Sequence, residues 1–173
     1  GQHFLIAASR INGGSVEDTE PGFRALRELR PHVVTLYTQA DQVVQLIERG
    51  DIAAAVWFSD RVGAAARSGI PVAVVFPREG AIGILPTFAV PEGARNKALA
   101  EDYMNRALSP EAQRCFAERQ YAGPTNRKVE LPAELAALVP YRDSVEKLYF
   151  PPPEVVARSL PSWTERWNRE IAR

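Results

Sequence analysis

The sequence predicts an α/β fold. Three observations carry that expectation: β-branched apolar runs of strand length at 33–37, 52–57 and 71–76, helical apolar stripes between them, and Gly or Pro at the junctions. Taken in order, residues 4–11 read as a short helix that stops at Asn12-Gly13-Gly14. Pro21 suits the first turn of a second helix reaching Arg30, with Phe23, Leu26 and Leu29 on one face. Val33 to Tyr37 reads as a strand and Thr38 as the cap of the helix after it. From Gln39 to Arg49, Ala40, Val43, Val44 and Ile47 keep helical spacing, Asp41 sits in the first turn and Gly50 ends the element.

The alternation then repeats. Ile52 to Trp57 is a continuous apolar strand, Asp60 to Arg67 an Ala-rich helix ending at Ser68-Gly69, and Pro71 to Phe76 a second buried strand, which gives a βαβ rhythm. After Pro77-Arg78-Glu79-Gly80 comes an extended stretch from Ala81 to Val90, closed by Pro91. From Asn96 the chain turns helical, with Ala100, Tyr103, Met104, Ala107 and Leu108 on one stripe. Ser109-Pro110 caps and starts a helix over 110–120, which puts Ala112, Cys115 and Phe116 on one face and makes Cys115 a small core residue. Prolines then divide the tail into short helices at 132–139, 143–149, 153–159 and 161–172; the last places Leu160, Trp163, Trp167 and Ile171 on one side.

Composition narrows the function classes. The 173 residues carry 21 Lys+Arg against 21 Asp+Glu, so no global field favours nucleic acid or an anionic membrane. One cysteine leaves no intrachain disulfide, Cys-rich zinc site or CxxC redox pair. No run reaches the ~18 apolar residues of a membrane span. The start, Gly1-Gln2-His3, lacks Met and a signal-peptide pattern, and the chain is expected to be the remainder of something longer.

Motifs for standard enzyme chemistry are missing: there is no Walker loop, GxSxG, HExxH or GxGxxG. His3 and His32 have no second ligand at metal spacing. What remains are polar and aromatic residues at strand ends, where open α/β sheets bind ligands. Tyr37-Thr38-Gln39 leads into a helix N-terminus able to hold an anion, or is simply a cap. Trp57-Phe58-Ser59-Asp60 offers an indole for stacking or cation-π contact beside two polar residues that also suit capping. Tyr121 to Asn126 is a rigid turn with three hydrogen-bonding side chains, which turn chemistry alone also explains.

Together these segments resemble the extracellular solute-binding proteins of bacterial ABC importers, in the branch that contains spermidine/putrescine-binding proteins. The resemblance is carried by Gly50-Asp51-Ile52 leading to Val56-Trp57, Gly69-Ile70-Pro71-Val72, and Pro77-Arg78-Glu79-Gly80. It continues through Ala89-Val90-Pro91-Glu92-Gly93-Ala94 with Asn96-Lys97, Leu108-Ser109-Pro110-Glu111, Tyr121 to Asn126, and Trp163 to Asn168. It implies a periplasmic-binding-protein-like fold (type II) of two lobes around a cleft. Residues 1–84 then belong to the second lobe, 85–91 form a hinge-crossing strand, 92–128 return to the first lobe, and 129–173 are helices packed on the second lobe or hinge. It also implies a chain about half the family's length and a periplasmic location, with no cofactor, an ABC permease as partner, and no nucleic acid.

Carried over by position, the resemblance makes Thr38, Gln39, Trp57, Phe58, Ser59, Asp60, Thr87, Tyr121 and Asn126 solute contacts, with Trp57 as the stacking surface. One departure bears on the solute. Polyamine binders of the branch place an aromatic and an acidic residue where this chain has Ile84 and Pro86, and an ammonium group buried without a counter-ion is costly. The expected solute is therefore a polyamine, organic acid, amino-acid-like compound or metal complex. An effector-binding domain of a transcription regulator, and an α/β hydrolytic enzyme using Ser59, Asp60 and His32, are the alternative readings. The stripe at 100–108 would pack on the first lobe, so its exposure predicts self-association.

Overall fold

The computed structural model describes all residues, 1–173. Nine α-helices form: α1 (Gln2–Ile11), α2 (Glu20–Leu29), α3 (Ala40–Glu48), α4 (Ser59–Arg67), α5 (Lys97–Ala107), α6 (Pro110–Gln120), α7 (Ala133–Ala136), α8 (Asp143–Glu146) and α9 (Pro153–Glu170). A 3-10 turn, Arg30–His32, follows α2. The helices expected from apolar spacing are present, most with ends within two residues of expectation; 132–139 and 143–149 keep only α7 and α8.

Two of the expected element assignments differ. The runs 33–37, 52–57 and 71–76 are unpaired chain rather than strands, and the only bridge is an isolated parallel one between Ile82 and Tyr149. A β-branched run favours a pleated, covered surface, but a ladder also needs a neighbour's N–H and C=O groups in register. Val34, Val56 and Val75 are instead 61%, 56% and 82% exposed. The tail also differs: 153–170 is one helix running through Pro161. The missing amide costs one helical hydrogen bond, while the apolar side of α9, with Val155 and Trp163 buried, holds both halves to one core.

The chain divides into two compact units, residues 1–56, 76–84 and 147–173 in one, and 57–75 and 85–146 in the other. In the first, α1 lies on α2 and α9 joins them around Leu5, Ile6, Phe23, Leu26, Val155, Trp163 and Ile171. Phe23 is fully buried, and the Arg166 guanidinium sits 4.1 Å from its ring centroid. Close approach of α1 and α2 requires Gly22, because a Cβ there would collide with Ser9 Oγ. Glu20 and Glu170 both pair with Arg166 and Arg27, at 2.5 to 3.4 Å. Hydrogen bonds from Arg166 hold both carboxyls below their ordinary value of 4.5. Arg30 Nε donates to the Ile171 carbonyl at 2.9 Å and so closes the end of α9.

In the second unit, α4 and α5 each pack on α6, and Ala65, Ala107, Ala117, Val129 and Val139 are buried. Ser109 Oγ accepts from the Ala112 amide at 3.2 Å, the N-cap that Ser-Pro predicts. Cys115 is exposed, contrary to expectation: α6 buries Ala117 and turns Cys115 to solvent. The stripe on α5 is present, with Ala107 buried and Tyr103 and Leu108 exposed. Phe88, Leu99 and Tyr103 are 51%, 67% and 59% exposed, and with Ala89, Val90 and Met104 they line an apolar groove of about 520 Å³.

Candidate functional site

The expected solute contacts are divided between the two units, with Thr38 and Gln39 in the first and Trp57–Asp60, Thr87, Tyr121 and Asn126 in the second. Within the first, Gln39 rather than Thr38 is the N-cap of α3. Gln42 Oε1 accepts the Thr38 amide at 2.8 Å and the Gln39 amide at 3.1 Å, so a side chain already serves the amides just ahead of α3. The Thr38 side chain is left exposed. Tyr37 Oη donates to the Val56 carbonyl at 2.9 Å. Burial raises the Tyr37 pKa, which keeps the phenol protonated as that donor.

In the second unit, Phe58 is the N-cap of α4, Ser59 and Asp60 form its first turn, and the cap has no side-chain hydrogen bond. Ser59 therefore does not cap the helix; it is its first residue. Trp57 and Asp60 are half-buried, and Phe58 is 49% exposed. The Asp60 carboxylate faces only Arg61, at 3.9 Å with both side chains solvated, so most of its hydrogen-bonding capacity is free. Trp57 and Asp60 thus set an aromatic face and an anionic group around the start of one helix.

Behind this turn lies a contact that motif reading does not reveal. Gly63 is buried in the middle of α4, and a Cβ there would collide with the Tyr121 ring. Tyr121 ends α6 in the left-handed region, at φ 54° and ψ 31°. A helix-interior Gly costs about 1 kcal/mol relative to Ala, and a non-Gly residue in the left-handed region costs roughly 1–2 kcal/mol. Both occur at this one ring-to-backbone contact. Its only signal in the sequence is a lone Gly amid Val62, Ala64, Ala65 and Ala66.

The rest of that turn is pinned from its other end. Asn126 Nδ2 donates to the Leu108 carbonyl at 2.8 Å and its Oδ1 accepts the Lys128 amide at 3.0 Å. Gln113 Oε1 accepts from the Thr125 amide at 2.9 Å while Gln113 Nε2 donates to the Ala107 carbonyl at 3.1 Å. The structure thus brings Tyr121 against α4 and ties Asn126 to the α5–α6 junction. Thr87 stands apart as an exposed residue beside Phe88 of the apolar groove. No group of three or more His, Cys, Asp or Glu could hold a metal, and no helix is long and apolar enough to cross a membrane.

Comparison with known proteins places this geometry in context. The family described as bacterial extracellular solute-binding protein matches residues 1–141. The chain is 30% identical over 111 residues to the gamma-aminobutyric acid-binding protein of Pseudomonas aeruginosa, covering 64% of this chain and 31% of that one. It is 31% identical over 99 residues to the putrescine-binding periplasmic protein PotF of Escherichia coli, covering 54% of this chain and 26% of that one. Among solved structures, an extracellular solute-binding protein from Bordetella parapertussis superposes with a TM-score of 0.83 at 29% identity, over 99% of this chain and 52% of that one. An ABC transporter from Clostridium perfringens shares the fold, with a TM-score of 0.77 at 24% identity over 97% and 54%. The chain therefore spans about half of these solved chains and about a third or less of the curated relatives. Family and relatives are solute-binding proteins rather than enzymes, and neither the hydrolase nor the regulator reading is favoured. With a family match over residues 1–141 and a fold shared across nearly its whole length, the chain belongs to the bacterial extracellular solute-binding proteins.

Proposed function

We propose that the chain is part of the solute-binding component of an ABC importer and contributes Trp57, Phe58, Ser59 and Asp60 to the solute site. The observation that carries this is a half-buried indole, Trp57, closely followed in sequence by Asp60, whose carboxylate faces only the solvated Arg61, in a chain whose family is solute-binding. The named relatives bind gamma-aminobutyric acid or putrescine. These solutes share a primary ammonium group on a short methylene chain. That group matches the pair here: the indole face attracts the cation and the stem, and Asp60 supplies the counter-ion that Pro86 does not.

On this reading the solute is a small amine, either a diamine or an ω-amino acid. Residues 85–91 carry the chain between lobes, and solute binding shifts a hinge equilibrium toward the form a membrane permease accepts. Within the second unit, Thr87, Tyr121 and Asn126 belong to the same site or its frame. No cofactor takes part.

The test is calorimetric titration of the protein with putrescine, spermidine, gamma-aminobutyric acid, a dicarboxylate and a metal-citrate complex. One of the amines should bind, and Trp57→Ala should weaken it by about tenfold or more, as loss of a desolvated cation-π contact predicts. Binding of the dicarboxylate or metal complex alone would overturn the amine assignment. Unchanged affinity in both Trp57→Ala and Asp60→Asn would remove these residues from the site.

A further inference from the structure

We infer that Tyr121 and Gly63 form a positioning pair, in which the Tyr121 ring sets the place of α4 and hence of Trp57 and Asp60, without itself touching the solute. The inference rests on the proposed solute site at the start of α4. Three observations carry it. Tyr121 adopts a left-handed backbone conformation that L side chains rarely take, and it does so at the junction between α6 and the turn that follows. In that conformation its ring lies across Gly63, where a Cβ would collide with Tyr121 Cγ, Cδ1 and Cβ. Gly63 is buried one helical turn after Ser59 and Asp60, so anything that moves its backbone moves the first turn of α4 with it.

The far end of the turn gives the ring something firm to press from. Asn126 has its amide carbonyl and one amide hydrogen committed to Lys128 and Leu108, and Thr125 is held by Gln113, itself bonded to Ala107. Gly123 adds a second close approach, since a Cβ there would collide with the Pro140 carbonyl. On the other side of the ring contact, Arg67 near the end of α4 donates to the Glu118 carbonyl of α6 at 3.4 Å. The 121–126 turn is therefore a rigid bracket between the α5–α6 pair and α4. Backbone strain kept at such a point is maintained by surroundings that over-determine it, and it belongs where a position has to be held. Asn126, with its polar atoms largely spent on the bracket, acts in the same way.

The test uses Tyr121→Phe, Tyr121→Gly and Gly63→Ala, with two readouts. One is affinity for putrescine, spermidine or gamma-aminobutyric acid, whichever the protein binds. The other is acrylamide quenching of the Trp57 component of the fluorescence, defined as the emission lost in Trp57→Phe and measured without solute. Tyr121→Phe should leave both readouts within about twofold, since the ring is kept. Tyr121→Gly relieves the strained backbone but removes the ring, and should raise Trp57 quenching and weaken solute binding by about tenfold, as misplacement of a binding group does. Should Tyr121→Gly fail to fold, Gly63→Ala moves the same contact from the other side and is expected to change quenching in the same way. Unchanged Trp57 quenching in folded Tyr121→Gly overturns the inference. So does an equal loss of affinity in Tyr121→Phe and Tyr121→Gly, which would put the phenol on the solute. If none of the solutes binds the unaltered protein, the functional reading fails while the quenching measurement still decides the positioning role.

Discussion

Replacing Gly63 by Ala should destabilise the protein, against the usual direction of such a change. In an exposed helix interior the substitution gains about 1 kcal/mol. Here the new Cβ meets the Tyr121 ring, and overpacking of this kind costs typically about 1–3 kcal/mol. The net expectation is a loss of up to about 2 kcal/mol, which at about 2–4 °C per kcal/mol for a chain of this length lowers the melting temperature by up to about 8 °C. In a Tyr121→Gly background the obstacle is gone, and the same substitution should stabilise by about 1 kcal/mol. The two values differ by a coupling energy of about 1–3 kcal/mol, within the range measured for residues in contact. Urea titrations and thermal melts of the four proteins, followed by circular dichroism, give the whole cycle. If Gly63→Ala stabilises equally in both backgrounds, the ring does not rest on Gly63 and the reasoning is refuted.

Acid should weaken the first unit through Glu20 and Glu170. Their carboxyls titrate lower in the folded protein than in the unfolded chain, mainly through Arg166, so the stabilisation is present above pH 4.5 and is lost as pH falls through the lowered values. Melting temperatures measured between pH 6 and pH 3 should fall less steeply in Arg166→Met than in the unaltered protein; equal slopes would refute the assignment. Cys115 should react with a thiol reagent in the native protein, and Cys115→Ser should change stability by no more than about 0.5 kcal/mol, whereas a thiol that reacts only on unfolding would mean it is buried. Pro161→Ala should stabilise α9 by about 1–3 kcal/mol, because the new amide can reach the Ala157 carbonyl; a melting temperature that stays level or drops would show that the proline is required for packing.

The helices were legible because their information is local. Phe23 and Leu26 at helical spacing, Pro21 at the start of α2 and Ser109-Pro110 ahead of α6 each act within a few residues of themselves. The strands were not, because Val34, Val56 and Val75 carry the right propensity but pairing is a property of the neighbour. Pro161 misled for a related reason: the apolar face that keeps α9 whole is fixed by residues more than a hundred positions away. For the site, Trp57 to Asp60 could be read as a chain entering a helix. The Gly63–Tyr121 contact could not, since it joins residues far apart in sequence whose types alone suggest a helix and a turn. Cys115 shows the limit of periodicity, which ranks helix faces but does not say how far the covering surface extends.

The position of α9 has a consequence in time as well as in space. Its Glu170 pairs with Arg27, and the Ile171 carbonyl accepts from Arg30, so the core around Phe23 is completed by residues 143 and 141 positions further along. Contacts of such separation are slow to form, because a long loop must close before they return any free energy. A growing chain cannot make them until α9 has been synthesised. Until then α1 and α2 lack the surface that buries Phe23, and the first unit completes its core only after the residues of the second unit have been made. Losing only the final helical turns should accordingly leave the N-terminal helices open to proteases.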